Sequence, residues 1–179
     1  MIDIQDNYLP ETGWKIIYEN FSGLNVPWNY QPTINGRNGE TDHEHNWQLV
    51  HEMFSAQKIH NPSSELVNIM PLLSAMPIYY LLRVKMNLNP RCSENWISDF
   101  HTDTRGLGNL TSIYYLNTCN GGTIFKDGTK VDSVANRLIT FPATMEHAGM
   151  KATDVKARFV LNINWFPTDE YKTTEAGTT

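Results

Sequence analysis

Phe100-His101-Thr102-Asp103 places an imidazole and a carboxylate two residues apart. In an extended segment side chains alternate, so His101 and Asp103 would address one point. A second imidazole, His147, follows the strand-like run Asn136–Phe141 and a turn at Pro142. Two histidines and one carboxylate leave three faces of an octahedral ion open. That is the facial arrangement used for non-haem Fe(II), whose open positions take an oxidant and a cosubstrate. Zinc more often wants a closed tetrahedral set with Cys or a third His. Arg158 opens the last apolar run, where Val160, Asn162 and Asn164 share its face and Phe159, Leu161, Ile163 and Trp165 share the other. The second set reads as core. The first sets a cation and two amides where a buried strand would be apolar, and a buried cation needs a partner. A guanidinium fork suits a carboxylate, to which it donates two parallel hydrogen bonds. Taken alone, Arg158 reads as a strand-end residue in solvent; the His/Asp/His set shifts it toward a site.

The elements that must position these residues are short. Pro10–Phe21 carries Trp14, Ile17, Tyr18 and Phe21 at helical spacing. A second helix is expected after Asn61-Pro62-Ser63-Ser64, with a capping serine and a stripe of Leu66, Ile69, Met70 and Leu73; Pro71 removes a donor inside it. Strands are expected at Ile78–Asn87, Thr111–Asn117, Asn136–Phe141 and Arg158–Trp165. Thr123–Lys126 and Thr129–Val131 flank Asp127-Gly128, which suits a type I′ hairpin turn. Further turn pairs stand at Asn35-Gly36, Asn38-Gly39 and Asn120-Gly121. Even spacing of such strands predicts a mainly β sandwich or barrel with helices packed outside.

Length and composition bound the rest. The 179 residues predict one domain, 1–170, with a frayed tail at 171–179 that lacks apolar periodicity. The longest apolar stretch, Ala75–Leu82, contains Pro77 and falls far short of the roughly 20 residues that span a bilayer. The net charge of −5 and the scattered basic residues argue against a nucleic-acid-coating protein. The opening Met-Ile-Asp-Ile-Gln-Asp has no basic or apolar leader region, so a cytoplasmic location is expected, the host cytoplasm for a phage protein. Cys92 and Cys119 are then expected to be free thiols.

Phe100-His-Thr-Asp, Thr111-Ser-Ile-Tyr-Tyr-Leu-Asn, Gly121-Gly122, Asn136-Arg-Leu-Ile-Thr-Phe, His147 and Arg158-Phe-Val-Leu-Asn-Ile together resemble the Fe(II)- and 2-oxoglutarate-dependent dioxygenases. The branch they resemble is that of the prolyl 4-hydroxylase-like oxygenases, in its small bacterial and phage forms. The matching blocks run over roughly 78–165, about half the chain. The resemblance implies a double-stranded β-helix, or jelly roll, with the metal near one end. It implies His101, Asp103 and His147 as iron ligands, and Arg158 as the partner of the distal carboxylate of 2-oxoglutarate. It implies Tyr115 as a hydroxyl on that carboxylate and Ile113 as a wall of the same pocket. The implied reaction uses Fe(II), 2-oxoglutarate and O2, with ascorbate as a supporting reductant. It releases succinate and CO2 and hydroxylates a C–H bond, of a prolyl or other amino-acid residue, peptidyl or free. Relatives that halogenate lack the carboxylate ligand, so Asp103 favours hydroxylation. Two positions depart from the pattern. The stretch Val84-Lys-Met-Asn-Leu-Asn carries no second tyrosine, and Asn164 stands where prolyl hydroxylases of this branch often carry tryptophan. The segment Asn89–Asp99 is long enough to act as a substrate lid.

Two rival readings use the same barrel: a cupin-type metalloenzyme without 2-oxoglutarate, which needs no carboxylate clamp such as Arg158, and a non-catalytic ligand-binding module. Asp42-His43-Glu44-His45, with His51 beyond it, also has metal-type residues but follows two Asn-Gly turns, and reads as a solvated loop at the site's rim. Trp14, Trp28, Trp47 and Tyr30 read as core or sheet cover, and His60 as a turn residue. Cys119, beside Asn120-Gly121, has no neighbour that would activate its thiol.

Overall fold

The computed structural model describes residues 1–23, 25–34, 44–58, 62–104, 106 and 108–169. The expected tail at 171–179, His60, Asp42, His43 and the turn pairs at 35–36 and 38–39 lie outside the described residues. In chain order the elements are β1 (Asp3–Gln5), α1 (Glu11–Ser22), β2 (Asn29–Gln31) and β3 (Gln48–Ser55). A 3-10 turn (Ser64–Ile69) then runs into α2 (Met70–Ala75). The remaining strands are β4 (Ile78–Pro90), β5 (Leu110–Tyr115), β6 (Gly122–Phe125), β7 (Lys130–Asp132), β8 (Arg137–Pro142), β9 (His147–Met150) and β10 (Ala157–Pro167).

Seven strands form one antiparallel sheet in the order β1-β8-β5-β10-β4-β3-β2, and β7-β6-β9 form a second. Both faces of the large sheet are covered, and the alternation along its strands sorts side chains between them. Val84 and Met86 of β4, Tyr114 of β5 and Leu161, Ile163 and Trp165 of β10 pack with Ile17 and Phe21 of α1 and with Ile69 and Leu72. Ile113, Tyr115, Ile139, Phe141 and Val160 face the small sheet, where Phe125 and Val131 meet them. This is the mainly β jelly-roll architecture, with few helices and all of them on one side. The two-faced pattern expected of Arg158–Trp165 is the pattern of β10.

The helices follow their sequence signals with one revision. Trp14 donates its indole N–H to the Leu116 carbonyl at 2.9 Å, which seats α1 on the sheet. The second helical segment is divided, because Pro71 offers no backbone donor and is accepted only in a first turn. Residues before it form the 3-10 turn, capped by Ser63. The division rotates the stripe, so that Met70 is exposed and Leu72 buried.

The Asp127-Gly128 hairpin is also not the type I′ turn expected. Only Gly128 has a positive φ, of 90°. The Gly128 amide donates to the Phe125 carbonyl at 2.9 Å, and the Phe125 amide to the Thr129 carbonyl at 2.8 Å. The loop therefore has three residues, with glycine at the left-handed position. The Asp127 carboxylate accepts the Thr129 amide at 2.9 Å, an Asx-type bond that braces the turn.

One residue staples the N-terminal segment to the sheet. Asn136 has φ 63°, a region that asparagine tolerates better than other side-chain-bearing residues. Its Oδ1 accepts the Leu9 amide at 3.0 Å and the Tyr114 hydroxyl at 2.7 Å, and its Nδ2 donates to the Leu9 carbonyl at 2.8 Å. Asn136→Ala leaves those buried groups unpaired and strains the backbone. It should cost about 3 kcal/mol, read as a lowered denaturation midpoint with an unchanged slope; a loss below about 0.5 kcal/mol would contradict this account.

Candidate functional site

The structure brings His101, Asp103 and His147 together, with one ligand-type atom from each within 4.8 Å of the others. The two histidines meet through the backbone. His101 donates its amide to the His147 carbonyl at 3.0 Å, and the reverse bond is 2.9 Å, an isolated antiparallel bridge. Their rings stand with centroids 4.5 Å apart. Strand alternation does not place Asp103 beside His101. His101 occupies a single bridge and Asp103 lies in a bend. The convergence comes instead from that bridge and from the chain curling Asp103 back onto β10. His147 opens β9, and its Nδ1 lies 3.0 Å from the Met145 carbonyl. A carbonyl only accepts, so Nδ1 carries the proton and Nε2 keeps its lone pair for the site. Phe141 meets the same ring edge-on at 4.8 Å and blocks its rotation.

Asp103 has a side chain only 3% exposed and is gripped unevenly. Its Oδ2 accepts from Thr111 Oγ1 at 2.8 Å, Asn162 Nδ2 at 3.0 Å and Asn164 Nδ2 at 3.1 Å. Among the described residues its Oδ1 receives a hydrogen bond only from the Arg83 guanidinium, at 3.4 Å. A carboxylate has about four lone-pair sites over two oxygens, so Oδ2 is filled and Oδ1 is the oxygen with capacity left. Burial pushes this carboxyl up, but His147, Arg83, Asn162 and His101 more than offset it and hold it at about 2. Burial and then His147 push His101 down to about 4. Near neutral pH the pair is therefore one ionised carboxylate and a neutral His101 imidazole, the forms in which both groups bind metal.

Arg158 is not the solvent-facing residue that it would be if read alone. It is 3% exposed, its guanidinium lies 5.4 Å from the centre of the Tyr115 ring, and its Nε has no hydrogen-bond partner among the described residues. Gly121 makes room for it: a Cβ there would stand 3.1 Å from Arg158 Cδ and 2.7 Å from the Met150 carbonyl oxygen. Arg158, Ile113, Thr123, His101, Asp103 and His147 all line one cleft, with about 600 Å³ of free space including its mouth. Tyr115 lies beneath this lining, fully buried, and its hydroxyl donates to Thr123 Oγ1 at 2.7 Å. The hydroxyl presented to the cleft at this level is that of Thr123.

The remaining residues singled out from sequence sort apart. Asn89–Asp99 is knitted to the strand behind it by Cys92 N to Ala152 O, Ser98 N to Gly149 O and Lys151 N to Trp96 O, at 2.9–3.0 Å. It is a wall, and Asn89 and Ser98 line the cleft. His45 Nε2 lies 3.0 Å from Ser93 Oγ, and His51 Nε2 lies 3.2 Å from Ser63 Oγ under the 3-10 turn. Neither joins a metal-type cluster among the described residues. Trp14 and Trp28 pack on the core, whereas Tyr30 is exposed because β2 is an edge strand. Cys92 and Cys119 are free and buried, and burial raises the Cys92 thiol. No helix among the described residues is long and apolar enough to cross a membrane.

No family model and no curated protein matches the chain. Solved structures do. A prolyl hydroxylase from Trichoplax adhaerens, in complex with a hypoxia inducible factor oxygen degradation domain peptide fragment, superposes with TM-score 0.65 at 14% identity, over 99% of this chain and 87% of that one. A Pseudomonas putida prolyl-4-hydroxylase gives 0.56 at 16% identity, over 93% and 92%. The non-heme alpha ketoglutarate dependent epimerase SnoN from nogalamycin biosynthesis gives 0.62 at 12% identity, over 93% and 76%. The chain thus has the fold of the prolyl hydroxylases and of other 2-oxoglutarate-dependent non-haem iron enzymes.

Sequence reasoning placed two amides on the Arg158 face without assigning them, and passed over Thr111 and Arg83. The signal for the amides was their presence on a face that a buried strand would make apolar. Thr111 carries no such signal, because threonine is ordinary in strands. Thr111→Val with Asn164→Leu removes two of the three donors on Oδ2 while keeping bulk. Affinity for Mn(II), measured by calorimetry, should fall about 10–100-fold; wild-type affinity in the double variant would show that the clamp does not position Asp103.

Proposed function

We propose that this protein is an Fe(II)- and 2-oxoglutarate-dependent oxygenase that hydroxylates a C–H bond of an amino-acid residue, peptidyl or free. The observation that carries this reading is the pairing of two features on one cleft. A two-histidine, one-carboxylate set stands in it, and a buried guanidinium with an unpartnered Nε stands in the same lining. His101, Asp103 and His147 would hold the iron, and Arg158 would hold the distal carboxylate of the keto-diacid. The donor set fits Fe(II), since neutral imidazole and carboxylate leave positions open where cysteine would close them. Bound together, the metal and 2-oxoglutarate supply the oxidising power, with release of succinate and CO2.

What this chain's own residues do is hold, orient and exclude. Thr111, Asn162 and Asn164 fix the Asp103 carboxylate between the two imidazoles, His101 Nε2 lying 3.8 Å from Oδ1 and His147 Nε2 3.8 Å from Oδ2. The Met145 carbonyl fixes the His147 tautomer. Arg158 donates its fork to a carboxylate in a site where the charge is not screened by bulk water, and the Tyr115 ring supports it from behind. Ile113 and Val160 give the apolar walls between the two ends and limit water near the reacting carbon. Asn164, which stands where prolyl hydroxylases often carry tryptophan, is buried and bonded to Asp103 and Thr111, which favours a substrate other than the peptidyl proline of those enzymes. A reducing, cytoplasmic setting agrees with two unpaired cysteines.

Anaerobic addition of Fe(II) and 2-oxoglutarate to the protein should produce the visible charge-transfer band of the metal–keto-acid chelate. His101→Ala should abolish it. A wild type without the band, or a band that survives in His101→Ala, would defeat this reading. Arg158→Met should raise the KM for 2-oxoglutarate at least about tenfold, the scale of a charge-assisted bond, in assays of succinate release.

A further inference from the structure

Lys85 lines the cleft and has no part in the reading above. Among the described residues, it and Arg158 are the only Lys or Arg side chains in that lining. Both project from neighbouring strands onto the same face. On the β4–β10 ladder Lys85 lies opposite Asn162, Asn87 opposite Val160, and Asn89 opposite Arg158. Lys85 therefore stands across from the amide that grips Asp103. Arg158 is four residues further along β10, about 13 Å at the rise of a strand. One cation marks the metal end of the cleft and the other its far end.

The Lys85 ammonium is part-buried, and no hydrogen bond or ion pair to it is formed among the described residues. Burial pulls its pKa down to about 8, helped by Arg83 and opposed by Asp103 and Glu52. An ammonium taken out of bulk water without a partner is costly. The Asp103 carboxylate is engaged elsewhere, Oδ2 by Thr111, Asn162 and Asn164 and Oδ1 by Arg83, and forms no ion pair with Lys85. Glu52 stands directly opposite Lys85 on the β3–β4 pair, and its carboxylate is engaged by Lys58. Nor does Lys85 serve to balance the Asp103 charge, since Arg83 already contacts Oδ1. A ligand carboxylate in the cleft would give this cation a partner.

We propose that Lys85 is a second carboxylate anchor, which binds a carboxylate at the metal end of the cleft while Arg158 binds one at the far end. The inference rests on the 2-oxoglutarate reading. Two sources share this chemistry: the metal-end carboxylate of 2-oxoglutarate itself, and a carboxylate of the molecule being oxidised, which would make that molecule a free amino acid. Lys85 stands in the cleft lining, opposite Asn162 of the Asp103 clamp.

Calorimetric titration of the Zn(II)-loaded protein separates these sources without turnover. The first arm titrates 2-oxoglutarate into wild type, Lys85→Met, Lys85→Arg and Arg158→Met. The second titrates free L-amino acids, each beside its primary amide, into the same proteins saturated with 2-oxoglutarate. A loss of about tenfold or more for 2-oxoglutarate in Lys85→Met, with most of it restored in Lys85→Arg, assigns Lys85 to the cosubstrate. Unchanged 2-oxoglutarate affinity, with an amino acid that binds wild type as the acid but not as the amide and is lost in Lys85→Met, assigns it to the substrate. Lys85→Met equal to wild type in both arms, with Arg158→Met still impaired, overturns the Lys85 assignment alone. Wild type that ignores 2-oxoglutarate while keeping a Lys85-dependent affinity for a free acid overturns the oxygenase reading alone. Melting curves by circular dichroism show that each variant is folded.

Discussion

A carboxylate held out of water stays ionised only where donors and cations surround it, and Asp103 is built around that constraint. Three neutral donors converge on one of its oxygens from β5 and β10, and a guanidinium reaches the other from β4. These strands are neighbours in the large sheet, so the clamp exists only once the sheet has formed. Polar residues on the inner face of a buried strand would otherwise be a liability. Here three of their donors, from Thr111, Asn162 and Asn164, converge on a single acceptor, and that acceptor stands beside two imidazoles. The small sheet supplies the opposite wall by carrying His147 at the start of β9, tied to His101 by two backbone hydrogen bonds. The site therefore sits where the two sheets are joined at one end of the sandwich.

The same logic extends along the cleft. Arg158 is admitted to the interior because Gly121 has no side chain and because the Tyr115 ring offers its face. Gly122 is equally constrained: a Cβ there would lie 2.4 Å from the Val131 carbonyl oxygen. The pair Gly121-Gly122 thus brings the small sheet close enough for its strands to pair and for the arginine to fold beneath them. Apolar packing on the far side, from Phe21 and Ile17 to Trp165, provides the rigidity that such a polar inner face lacks. A packed helix layer behind the sheet and a polar cleft in front of it are the two halves of one arrangement.

Much of the architecture was legible along the chain. The β10 alternation of Arg158, Val160, Asn162 and Asn164 against Phe159, Leu161, Ile163 and Trp165 needed only the two-residue period of a strand. Helix α1 was visible from its spacing. The strands β1, β2, β3 and β9 were not, since three- and four-residue strands lack a period to detect, and β3 follows polar residues that read as loop. Turn chemistry was half legible: Gly128 was placed at a turn, but the three-residue loop depends on the register between β6 and β7.

For the site, residue types and order were enough to name His101, Asp103, His147 and Arg158 as candidates, because few side chains can bind a metal or clamp a carboxylate. Their convergence belongs to tertiary structure. His101 and Asp103 do not meet by strand alternation, and His147 reaches them only through pairing across a gap of 46 residues in the chain, which no local pattern encodes. The same holds for Thr111, Asn162, Asn164 and Lys85. What each of these side chains meets is set by what the sheet places opposite it. Local periodicity determines which face a side chain takes, and long-range register decides what it finds there.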